Sequence, residues 1–139
     1  AKQFQKGLYQ RIFHDEDPGP FIAEMIHKTR SGQVDDWLVY RKRLRRRLSD
    51  YLKSQPPHVK AARLADEARI RAGLPPRYQQ RGAIAYVMTT QGPEPLEYRS
   101  APLDYEHYIQ KQLRPVAEAI LPFVGLNFGA WSEGQLPLF

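Results

Sequence analysis

Arg81-Gly82-Ala83-Ile84-Ala85-Tyr86-Val87-Met88-Thr89-Thr90 is the stretch on which the fold class turns. Its β-branched and aromatic content is the strongest strand signal in the chain. Gln91-Gly92-Pro93 behind it reads as a turn, and Leu96-Glu97-Tyr98 as a short partner strand. The rest of the sequence is dominated by helical patterns. The expected fold class is therefore mainly α with a small β element (α+β).

Upstream, Phe4, Leu8 and Ile12 recur at helical spacing with Tyr9 and Phe13 beside them, which predicts a first helix ending near His14-Asp15-Glu16-Asp17. Asp17 can cap a second helix with Pro18 in its first turn. Phe21, Ile22, Met25, Ile26 and Thr29 form that helix's buried stripe, and Gly32 its stop. The two helices read as an antiparallel hairpin. Trp37-Leu38-Val39-Tyr40 has the bias of a short extended segment. Pro56-Pro57 opens an alanine-rich helix from about His58, which ends at Gly73. Downstream, Asp104 caps a last long helix carrying Tyr105, Tyr108, Ile109, Leu113, Val116, Ile120 and Phe123 at steps of three and four. Pro115 and Pro122 should kink or subdivide it. Tyr105 and Tyr108 read as core. The pattern dissolves after Gly125, giving one domain over 1–125 and a flexible tail over 126–139.

Charge is concentrated in one place. Arg41-Lys42-Arg43-Leu44-Arg45-Arg46-Arg47 puts six cations in seven positions. Arg41 to Arg63 holds nine Lys or Arg and one acid, Asp50, a local charge of +8 against +6 for the chain. Everything outside that window sums to −2. The patch lacks the interleaved acids of a salt-bridged surface helix. It lies beside Trp37, Tyr40 and Tyr51, with Lys60 and Arg63 as a second basic set. Arginine outnumbers lysine there, which suits forked contacts to phosphate oxygens. Successive cations along one path match successive phosphates. By itself the patch leaves DNA, RNA and anionic lipid open as partners.

Other chemistry is missing from the sequence. With no cysteine there can be no disulfide or thiolate metal site. There is no Gly-rich phosphate loop, nucleophile elbow or zinc-type histidine pair, and His14, His27, His58 and His107 are scattered. His14-Asp15-Glu16-Asp17 is a solvated turn more readily than a cation site, since ligands adjacent in sequence rarely converge on one ion. No apolar run approaches the roughly 20 residues of a membrane span. The N-terminus is polar, and Ala1 in place of Met points to a processed chain or a fragment. The expectation is a soluble, cytoplasmic protein with no membrane partner and no cofactor on this chain.

Five blocks, in order and at matching spacing, resemble the thumb region of bacterial family B DNA polymerases. They are Leu38-Val39-Tyr40-Arg41-Lys42-Arg43-Leu44, Leu48-Ser49-Asp50-Tyr51, Pro57-His58-Val59-Lys60-Ala61-Ala62-Arg63-Leu64-Ala65, Arg81-Gly82-Ala83-Ile84-Ala85-Tyr86-Val87, and Leu103-Asp104-Tyr105-Glu106-His107-Tyr108-Ile109-Gln110-Lys111-Gln112-Leu113-Arg114-Pro115. Arg47 stands where related polymerases often carry Pro, a departure that adds a cation. The resemblance implies a helical thumb domain that grips primer–template duplex through its backbone. Arg41, Lys42, Arg43, Arg45, Arg46 and Arg47 would make the main phosphate contacts, with Lys60 and Arg63 secondary and His58 near the backbone. It also implies palm, fingers and exonuclease domains elsewhere, with Mg2+ held in the palm. This chain would carry no catalytic residues and be inactive alone.

Gln135-Leu136-Pro137-Leu138-Phe139 is similar to the Gln-Leu-x-Leu-Phe peptide by which bacterial polymerases are held on the ring-shaped sliding clamp. Leu138 and Phe139 would fill an apolar pocket, with Leu136 beside them, while the Gln135 amide orients the peptide. Two other classes make distinct predictions. A free-standing RNA-binding or single-strand-binding accessory protein would prefer single strands. A pure clamp adaptor would show no DNA affinity.

Overall fold

The computed structural model describes residues 2–53 and 55–124. Two compact units are present, one joining the residues up to Trp37 with those from Tyr105 onward, the other running from Leu38 to Asp104.

The first unit is helical. Helix α1 spans Lys2–Phe13 and α2 spans Gly19–Arg30. Phe4 and Leu8 of α1 are buried with Ile22, Met25 and Ile26 of α2, and the Phe4 and Phe21 rings stack at 5.7 Å. Asp17 accepts a 2.9 Å hydrogen bond from the Gly19 amide, fixing the entry to α2. Pro18 stands one position earlier than expected, at the N-cap. Gly32 follows α2 at φ +80°, a left-handed conformation that glycine adopts without a Cβ penalty.

The long C-terminal helix departs from the simple kink. It runs as α4 (Tyr105–Tyr108), a π-helical turn (Ile109–Leu113) and α5 (Arg114–Ile120), followed by a 3-10 turn from Leu121. Pro115 falls in the first turn of α5, where its missing N–H costs little, and the wider turn ahead of it absorbs the change of register. Ile109, Leu113, Ala117, Ile120 and Leu121 complete the core. Tyr108 is fully buried, and the half-buried Tyr105 hydroxyl hydrogen-bonds Asp35 Oδ2 at 3.3 Å.

The second unit is a three-stranded antiparallel sheet in the order β1 (Tyr40–Leu44), β2 (Gly82–Thr89), β3 (Gly92–Pro95), with helix α3 (Pro57–Arg71) against one face. Two expectations are corrected here. Trp37-Leu38 belongs to a 3-10 turn over Asp35–Leu38, and the strand is the basic stretch itself. An edge strand backed by only one sheet neighbour needs few apolar residues, and Tyr40 with Leu44 suffices. The partner strand is Gly92–Pro95, while Leu96–Tyr98 forms a 3-10 turn. The tight turn at Thr90-Gln91 pairs Thr89 with Gly92, so pairing begins earlier. Pro93 and Pro95 cannot donate to a ladder and confine β3 to the sheet edge.

Small side chains bring α3 close to the sheet. Val59, Ala61, Ala62 and Ala65 pack against Leu44, Leu48, Tyr78, Ile84 and Tyr86. Tyr40 stacks on Tyr86 at 5.2 Å on that same side. The buried Asp66 carboxylate takes the amides of Arg77 (2.7 Å) and Tyr78 (3.1 Å), which fixes the loop between α3 and β2.

Candidate nucleic-acid interface

Successive residues of a strand point to opposite faces of the sheet, so β1 splits the basic stretch. The register pairs Tyr40 with Tyr86, Lys42 with Ile84 and Leu44 with Gly82 on the side that α3 covers. Arg41 and Arg43 pair with Ala85 and Ala83 on the other side. Both arginines are exposed.

On the α3 side the remaining cations gather around Tyr51. The Arg45 amide donates to the Tyr51 hydroxyl at 3.3 Å, and the Arg46 guanidinium lies over the Tyr51 ring, 5.6 Å from its centroid. The same ring meets His58 edge-on at 6.3 Å. His58 is 6% exposed in the first turn of α3, and its Nδ1 has no hydrogen-bond partner. Burial, helped by the nearby Lys42 ammonium, holds the imidazole below its ordinary pKa. His58 is therefore neutral at physiological pH, a hydrogen-bonding group and not a cation. Lys60 is exposed on the same turn. Lys42, Arg45 and Arg46 thus gather around Tyr51 and His58 at one edge of the unit.

Two predicted contacts are occupied otherwise. Arg47 Nε lies 3.6 Å from Asp50 Oδ2, so the acid partly compensates it. Arg63 turns inward, and its Nη2 donates to the carbonyls of Leu48 and Tyr51, both at 2.9 Å. It clamps the 3-10 turn Leu48–Asp50 that follows the arginine run. No local signal at Arg63 separates that role from phosphate binding, because the carbonyls it holds lie 15 and 12 residues away.

Arg77 is a cation that the sequence reading left out. Anchored by its own amide to Asp66, it lines with Arg41 an open groove of about 360 Å3 whose other walls are Tyr78, Ala83, Ile84, Ala85, Leu96 and Glu97. Residues Gln135, Leu136, Leu138 and Phe139, singled out for clamp binding, lie outside the described residues. Among the described residues no cluster of three His, Asp or Glu could hold a metal ion. Nor is any helix among them long and apolar enough to cross a membrane.

Comparison with known proteins gives the chain its relatives. No family model matches the chain. DNA polymerase II of Escherichia coli K12 is 57% identical over 139 residues, all of this chain and 18% of that enzyme's length. The chain is related to a segment of a family B DNA polymerase. DNA polymerase 2 of Aeropyrum pernix is 36% identical over 116 residues, 77% of this chain and 13% of that protein. The chain spans less than a fifth of the length of either polymerase. It is a segment related to part of such an enzyme, and its mainly helical fold with one small sheet agrees with the fold class read from the sequence.

Proposed function

We propose that this chain is the thumb of a DNA polymerase, a C-terminal segment that holds primer–template duplex by its sugar-phosphate backbone. The observation that carries the reading is the grouping of Lys42, Arg45 and Arg46 around Tyr51 and His58, with Lys60 exposed on the same helical turn and no carboxylate in ion-pair contact with any of the four among the described residues. Cations spaced along an edge meet successive phosphates, and each contact releases counterions whatever the base sequence. Neutral His58 lies among them. The palm, fingers and exonuclease domains of the longer protein complete the enzyme, and catalytic Mg2+ belongs to carboxylates there. This segment positions DNA and performs no chemical step.

The second half of the proposal is the tail. Gln135-Leu136-Pro137-Leu138-Phe139 docks on the sliding clamp, and simultaneous DNA binding raises a modest peptide affinity by tethering. Arg45→Glu/Arg46→Glu/Arg47→Glu tests the first half. Duplex affinity should collapse while circular dichroism stays unchanged, and unchanged affinity would sink the phosphate assignment. Deleting residues 135–139 tests the second half, since clamp binding should vanish with duplex affinity intact. Loss of both would make the tail structural.

A further inference from the structure

The sheet face turned away from α3 carries cations that the duplex-holding edge does not use. Arg41 and Arg43 stand there above Ala85 and Ala83, and Arg77 lines the same groove as Arg41. All three arginines are exposed, and none forms an ion pair among the described residues. Two alanines in a row of a central strand leave the floor low and apolar. Leu96, 41% exposed, extends that apolar surface, and Glu97 places one carboxylate on the rim.

Opposite faces of a sheet point in opposite directions. A duplex with a persistence length of about 150 base pairs does not fold around a three-stranded sheet to touch both. The groove, at about 360 Å3, is also far too narrow for a double helix. Its apolar floor offers nothing to a duplex, whose bases are stacked inside. An unpaired nucleotide fits both features, with its phosphate against the guanidiniums and its base on the alanine floor. Glu97 cannot face a phosphate, but it can accept a hydrogen bond from the exocyclic amine of cytosine or adenine.

We propose that the Arg41–Arg43–Arg77 face with its Ala83–Ala85 floor is a second nucleic-acid site, one that takes single-stranded DNA with the base toward Glu97. This deepens the thumb reading and rests on it for the presence of DNA, but uses different residues. In the polymerase it would hold an unpaired stretch of strand while the α3 edge holds the duplex.

The test uses the full chain with fluorescent oligo(dC), oligo(dT) and a blunt duplex. Ala83→Leu/Ala85→Leu fills the floor without changing charge, and Arg41→Glu/Arg77→Glu reverses the rim, with circular dichroism confirming the fold of each. Both should weaken oligo(dC) binding about tenfold, equivalent to ~1.4 kcal/mol, and leave duplex affinity within about twofold. Oligo(dC) should bind more tightly than oligo(dT), and Glu97→Gln should narrow that gap. The proposal is overturned if the wild-type chain fails to bind oligo(dC). It also fails if the leucine variant binds like wild type, or if duplex and oligonucleotide affinities fall together. A collapse of oligonucleotide binding in the Arg45–Arg47 variant alone would move single strands to the α3 edge and leave the duplex reading standing. Duplex affinity that ignores the Arg45–Arg47 variant would sink that reading instead, and leave the groove to be judged by the leucine variant.

Discussion

Replacing Arg63 by Ala separates a clamp from a contact. One nitrogen of this side chain serves the carbonyls of Leu48 and Tyr51, each at 2.9 Å. A hydrogen bond from a charged donor contributes about 1.5–3 kcal/mol when fully buried. Arg63 is only half-buried, so water partly replaces it, and a combined loss of about 1–2 kcal/mol follows. In a unit of 60–100 residues that lowers the melting temperature by roughly 5–15 °C. Thermal unfolding followed by circular dichroism reads this directly. The DNA side needs titration of a duplex at several salt concentrations. A lost phosphate contact reduces the slope of log affinity against log salt by about 0.9. A lost clamp loosens the Leu48–Asp50 turn and weakens binding without removing a contact, so the slope should hold. A slope reduced by about 0.9 with an unchanged melting temperature would refute the clamp and return Arg63 to the phosphate-binding set.

Two further outcomes follow from the same unit. Arg47 has φ −63° and ψ 149°, and its amide donates no backbone hydrogen bond among the described residues, so Arg47→Pro fits the observed path. It should raise stability by about 0.4–1 kcal/mol through the unfolded chain, and a lower melting temperature would show that the turn needs that amide. Glu94 is buried, which alone would raise its pKa. The Ser100 amide, the Thr89 hydroxyl, the Ala101 amide and the Ser100 hydroxyl outweigh that and hold it below the ordinary carboxylate value. With the folded pKa depressed, its stabilisation is present above the unfolded value and is lost as pH falls through the folded one. Glu94→Gln should therefore flatten the acid limb of a stability–pH curve, and an unchanged limb would assign acid sensitivity to other groups.

The sequence made some elements plain because their signals are local. Gly82–Thr89 carries its own β-branched and aromatic content, and Asp17, Gly32 and Gly73 mark helix ends by conformational demands of a single residue. Strand β1 was hidden because its cations mask an edge strand whose apolar partners, Ile84 and Tyr86, lie some forty residues downstream. Strand β3 was displaced by two prolines that read as loop. The site suffered from the same limit. A run of six cations looks like one track in sequence, yet strand geometry turns Arg41 and Arg43 away from Lys42. The inward Arg63 and the outlying Arg77 depend on contacts that only folding creates.

Duplex binding by the full chain across a range of salt concentrations tests the central claim most directly. If Lys42, Arg45, Arg46 and Lys60 each meet a phosphate, log affinity falls against log salt with a slope of about −3.6, equally for duplexes of unrelated sequence. A slope shallower than about −1, or a strong preference for one sequence, would contradict a thumb that holds DNA by its backbone.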